Sequence, residues 1–229
     1  MVQFNKVYPP PIGCGFNKFG EAADKRYSLD SEQMYPRDIT ATDFIEHTSS
    51  AVASLFDAIS KEEARYAPIK EALQGAHEMH YACFITSDLN EDFDDHQVQH
   101  KFAQAAEAKM QAFLVSQSIE VMCGAVLQIA KQGISLILEG NDRYTRGRNI
   151  GSQHLSNVIW HGRNQAMHWE EGAPANTYTQ TCFKTLSSEF SSRFEIGEHS
   201  RNLAWDVCNV IGWSSYEEYE QDIRAILEK

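Results

Sequence analysis

The chain has 229 residues, 42% of them hydrophobic and 23% charged, and a net charge of −12. That balance belongs to a water-soluble globular protein with length enough for a packed core, and the acidic excess argues against a surface that grips a long nucleic-acid duplex. The five cysteines, Cys14, Cys83, Cys123, Cys182 and Cys208, are scattered, odd in number and without a CxxC pair, which speaks against a disulfide framework or a cysteine zinc site and fits a reducing cytoplasm.

Residues 1–40 hold four of the six prolines and no helical period, so an extended arm packed on the body through Phe4, Tyr8, Phe16 and Phe19 is expected. The N-terminus shows no apolar run behind a basic start, and no signal peptide is expected. From residue 41 to 229 the reading is one α-helical domain. Thr42 looks like the N-cap of a first helix running to about Ser60, and a second is expected from Pro68 to Phe84, with the proline at its start.

The acidic stretch from Asp88 to Asp95 fails as a calcium loop, because Phe93 and Gln99 stand where Gly and Glu are needed. It instead places negative charge before the next helix, expected over Asp95–Leu138, the longest of the chain and interrupted near Gly124 or Gly133. Its apolar tract, Ile119 to Leu138, contains Glu120, Gln128, Lys131 and Gln132, which favours a buried helix over a membrane span.

A loop with Arg143, Arg146 and Arg148 leads into a helix expected to end at Gly172 and Pro174. At 100° per residue Leu155, Ile159, Gly162, Ala166 and Trp169 form an apolar stripe. His154, Asn157, His161, Asn164, His168 and Glu171 form a polar ridge opposite. A solvated helix face would carry Lys and Glu, so the ridge points either to catalysis or to a subunit interface. Its histidines are seven residues apart, roughly 10 Å along a helix and too far for one metal ion.

Three further helices are expected near 176–194, 199–211 and 215–228, the last capped by Ser214 or Ser215. No strand pattern is seen. The fold class is therefore all-α, a helical bundle with a long central hairpin.

The run Arg163-Asn164-Gln165-Ala166-Met167-His168 resembles the R-x4-6-H motif of the HEPN superfamily, in the form with a polar residue after the arginine. The resemblance covers about residues 95–229. It implies a helical bundle that dimerises, so that two motifs build a metal-independent RNA-cleaving site without a cofactor, commonly in toxin, phage-defence or stress systems where an antitoxin partner is possible. In that chemistry the ribose 2′-hydroxyl attacks its own phosphate. His168 would move the proton, Arg163 would hold the phosphorane oxygens, and Asn164 would orient either partner. His161, Asn157, His154 and Glu171 would support them, and Arg143, Arg146 and Arg148 would bind substrate phosphates, since four arginines and no acid lie between Arg143 and Trp169.

Arg163 and His168 are roughly 140° apart on an unbroken helix. Either the helix is distorted near Gly162, or one subunit supplies the arginine and the other the histidine. An ion pair of Arg163 with Glu170, or with an acid from the next helix, is the structural alternative. Two other functional classes stay open: a non-catalytic helical interaction module, and a metal-binding bundle using His77, His80, His96 and His100, of which the last two have i,i+4 ligand spacing. The paired Glu-x-x-His of di-iron bundles is absent from the sequence.

Overall fold

The structure, a computed structural model, describes residues 39–87, 95–171, 176–197 and 201–228, with the backbone alone for 76–87 and 95–98. All of these belong to the unit Ile39–Lys229. The expected arm, apart from its last two residues, lies outside the described residues, as does the Asp88–Asp94 stretch.

The fold is an all-α bundle. Its elements are α1 (Ala41–Ser87), α2 (Asp95–Ile137), α3 (Leu155–His168), α4 (Thr177–Glu189), α5 (Ala204–Ile211) and α6 (Tyr216–Leu227), with short 3-10 turns at Gly140–Tyr144, Trp169–Glu171 and Ser192–Phe194. Two two-residue strands, β1 (Asn149–Ile150) and β2 (Gln153–His154), pair antiparallel.

Five local expectations are corrected, the last being the interruption of α2. The first helix starts two residues earlier than Thr42 predicts: Thr40 Oγ1 accepts from the Asp43 amide at 3.1 Å, and Asp43 Oδ2 accepts from the Thr40 amide at 3.1 Å, a reciprocal cap. Where the sequence predicts two helices, α1 runs unbroken through Pro68. Pro68 is exposed, so the carbonyl it leaves without an amide, that of Ala64, is on the water side of the helix. α1, at 47 residues, is therefore longer than α2 at 43. The strands are a further difference: Gly151, with φ +58°, makes the turn between them, and two residues are too few to show an alternating pattern.

α2 is continuous past both glycines. Gly133 is the point where the Phe44 ring of α1 approaches, 2.5 Å from where a Cβ would stand. One arc of α2, including Val115, Ile119, Cys123, Val126, Leu127, Ala130 and Ile134, is wholly buried, and it packs on α1, α3, α5 and α6. Gln99–Ile137 is long and apolar enough to cross a membrane by length and composition, and 44% of its most apolar window is buried inside the fold. At the C-terminus, Gly212 (φ +75°) ends α5, and Ser215 with Glu218 forms the capping box predicted for α6.

Candidate functional site

α3 is seated by its small and apolar side chains. Leu155, Val158 and Ile159 are fully buried. Gly162 lets Val207 of α5 approach to 2.9 Å of a Cβ position, and Ala166 lies opposite Gly124 of α2. The helix runs antiparallel to α2, with Trp160 beside Lys131, Arg163 beside Gln128 and Ala166 beside Gly124. Gln165, buried on the same side, accepts from the Leu203 amide at 2.9 Å and donates to the Arg201 carbonyl at 2.6 Å. It ties the 201–203 segment to α3. At the helix start, Ser156 Oγ accepts from the Arg146 amide, and the Leu155 and Ser156 amides donate to the carbonyls of Arg148 and Arg146.

The ridge divides into a covered part and an open part. His154 is exposed at the N-cap position, and Asn157 donates to Gln153 Oε1 at 2.9 Å. His161 is buried, its Nδ1 2.9 Å from Thr179 Oγ1 of α4, and burial pushes its pKa down to about 4. A neutral imidazole packed on α4 is a structural element. Asn164 accepts from Arg163 Nη1 at 3.3 Å. His168 and Glu171 are exposed and joined, Nδ1 to Oε1 at 2.6 Å. A carboxylate that holds Nδ1 leaves Nε2 as the nitrogen available for proton transfer.

Arg163 does not pair with Glu170. Its Nε donates to Gln128 Oε1, and both its partners are neutral amides. α3 is unbroken from Leu155 to His168, so distortion at Gly162 does not bring Arg163 and His168 to one face.

The loop arginines are each engaged by the protein. Arg143 donates to the Leu138 carbonyl at 2.8 Å and the Ser135 carbonyl at 3.3 Å, closing the end of α2. Arg146 pairs with Asp142 at 2.6 Å. Arg148 grips Asp222 of α6 with two nitrogens and reaches the Ile211 carbonyl.

Lys131 is the residue that sequence reasoning missed. Its Nζ stands 4.4 Å over the Trp160 ring, and Trp160 is packed edge-on against Tyr144 at 5.1 Å. Burial first, then the charges of Arg163 and Arg143, hold its pKa below the usual lysine range. In the sequence it is one of the polar interruptions of an apolar tract, and only helix pairing places it beside two guanidiniums.

Elsewhere, Glu120 is buried at the α2–α5 side, bonded to Gln117 at 2.8 Å and Arg201 at 3.4 Å, and Arg201 continues to Asp206 at 2.5 Å. Burial raises its pKa. The signal for it was a carboxylate on the buried arc of an apolar helix. Cys123, Cys182 and Cys208 are buried free thiols, and burial pushes Cys182 up to about 12, the environment of inert rather than nucleophilic thiols. Of the four histidines in the metal reading, His100 is exposed; the side chains of His77, His80 and His96 lie outside the described residues. Among the described residues no three His, Cys, Asp or Glu side chains are grouped to hold a metal ion.

Comparison with protein-family models, with curated proteins and with solved structures finds no match to this chain.

Proposed function

We propose that the chain is a metal-independent endoribonuclease of HEPN type, acting in the cytoplasm as a homodimer and suited to a toxin or phage-defence role with an antitoxin partner. The observation that carries this reading is the solvent-facing His168–Glu171 pair at 2.6 Å at the end of the same helix that holds Arg163, which has no carboxylate partner among the described residues. The carboxylate orients the imidazole for proton transfer, and the guanidinium is a fixed charge for a phosphorane. The two stand on different faces of an unbroken α3, so an arginine of one copy works with the histidine of the other.

A second copy has a surface to occupy. Met110, Phe113, Leu114 and Val121 are exposed on α2, all within about 60° of Gln128 on the helix. α3 covers that face from Gly124 onward and stops at His168. The uncovered apolar half therefore begins at the His168–Glu171 pair, and a second copy seated on it makes an isologous contact. The non-catalytic interaction module is the second reading, and the same strip supports it.

The deciding experiment is incubation of wild-type protein and His168→Ala with a mixed RNA pool in EDTA, followed by analysis of product ends. Cyclic phosphate ends made by the wild type and lost in the variant are expected. Intact RNA with both proteins would transfer the reading to the interaction module.

A further inference from the structure

Three cations meet where α2, the 140–144 turn and α3 converge. Arg143 is committed to the carbonyl ends of α2, and Arg163 is held by Gln128 and Asn164. Lys131 stands between them over an indole ring. Neither Lys131 nor Arg163 forms an ion pair with a carboxylate among the described residues, although Arg146, Arg148, Arg193, Arg201 and Arg224 all do. In a chain with 32 acidic and 20 basic side chains, carboxylates are not scarce. Lys131 instead has Arg163 and Arg143 as its charged neighbours, an arrangement of like charges that a bound anion relieves.

We propose that Lys131, held ready by the Trp160 face, takes a phosphate of single-stranded RNA next to the one that Arg163 holds, so that the two cations form one phosphate-binding track. The inference rests on the RNA reading above and adds a binding residue to it. Arg163 Nη2 and the Lys131 ammonium make no ion pair with a carboxylate among the described residues, and the two non-bridging oxygens of a phosphodiester are acceptors for such donors. Trp160, which carries Lys131, lies three residues before Arg163, about 4.5 Å along α3, so the two cations fit neighbouring phosphates of one strand.

The subsite adds a cation without an acidic partner to Arg146 and Arg148, each of which is bound to an aspartate. An ammonium resting on an indole is desolvated on one side only, so it exchanges the ring contact for a phosphate at small cost. No sequence is read by such a contact, since phosphates carry none.

The test uses a 2′-O-methyl oligoribonucleotide, which cannot undergo attack by its own 2′-oxygen, with binding to the full chain followed by fluorescence anisotropy over a range of salt concentrations. Lys131→Met keeps the stem packed on Trp160 and removes the charge. It is expected to weaken binding roughly five- to tenfold and to lower the slope of log affinity against log salt by roughly 0.7. Lys131→Arg should restore both, and exposed Lys184→Met on α4 should change neither; circular dichroism melts confirm that all three fold. Unchanged affinity and slope in Lys131→Met, or no binding by the wild type, would overturn the subsite, as would a polyglutamate peptide that binds as tightly with the same dependence on Lys131. The two readings fail separately. RNA cleaved in a His168-dependent way with Lys131→Met binding normally removes the subsite alone, while Lys131-dependent binding without cleavage removes the nuclease alone.

Discussion

The Arg148 guanidinium grips the Asp222 carboxylate with two parallel hydrogen bonds, Nε to Oδ1 and Nη2 to Oδ2, each 2.9 Å long. The same carboxylate accepts from Trp213 Nε1 at 2.8 Å, and Arg148 also caps α5 at the Ile211 carbonyl. One side chain from the loop before α3 therefore joins α5 and α6. Arg148→Ala should lower stability by about 1–3 kcal/mol, at the low end because the arginine is half exposed. Urea denaturation reads this directly. A loss of RNA affinity at unchanged stability would instead return Arg148 to a substrate role.

His161 makes stability depend on pH. Its folded pKa is lowered to about 4 by burial, whereas in the unfolded chain it is about 6.5. The unfolded state therefore takes up the proton first as pH falls. The contribution is fully present above about 6.5 and is lost progressively toward pH 4, amounting to roughly 2–3 kcal/mol at the acid end. Denaturation midpoints measured from pH 7.5 to 4.5 should fall more steeply for the wild type than for His161→Gln. An NMR titration of the His161 ring with a midpoint at 6 or above would sink this account.

The legible part of the fold was its large-scale pattern. The apolar period of α2 gave bounds of Asp95–Leu138 against the observed Asp95–Ile137, and the stripe of α3 is buried from Leu155 to Ala166, with Trp169 half-buried. What failed was local and depended on partners. Pro68 reads as a helix start unless its exposure is known, and β1 and β2 are too short to carry a period. The ridge looked uniform in sequence, yet α4 covers His161 and leaves His168 open, a division made by a helix that lies elsewhere in the chain. Arg143, Arg146 and Arg148 formed the most basic stretch of sequence, but the partners that commit them, Asp222 and the carbonyl ends of α2 and α5, are distant or lie in backbone that composition does not weigh. Lys131 was hidden for the converse reason, since its neighbours come from α3 and the 140–144 turn.

Gln165 holds the 201–203 backbone by two hydrogen bonds, and its removal leaves one buried amide and one carbonyl unpaired. Gln165→Leu keeps the volume and should cost about 2–4 kcal/mol, the unmet polar groups being the larger part. The Leu203 amide should lose its hydrogen-exchange protection ahead of the α2 core. Protection unchanged at Leu203 would mean the segment is held by other contacts.

Gly133→Ala tests the packing of α1 on α2. A Cβ there falls 2.5 Å from Phe44 Cε1 and 2.9 Å from Cζ, so the ring must turn or the helices separate. A destabilisation of about 1–3 kcal/mol is expected in spite of alanine's better helix propensity. Combining it with Phe44→Leu should recover part of the loss, because the clash and the ring disappear together. A neutral or stabilising Gly133→Ala would contradict the interhelical distance.

The two-copy site makes a quantitative prediction by complementation. Arg163→Ala and His168→Ala should each be inactive alone, because every composite site in either homodimer lacks one member. After subunit exchange of equal amounts, half of the dimers are mixed, and in each of these one site pairs a mutant arginine position with a mutant histidine position while the other is intact. Activity should therefore return to about a quarter of the wild-type value. A site built within one copy gives no recovery at any mixing ratio, since neither chain carries both residues. Val121→Glu, which puts a charge on the exposed apolar strip of α2, should lower the mass seen by light scattering to that of a monomer and abolish the recovery. Recovery that survives a monomeric Val121→Glu background would show that the copies meet through a different surface.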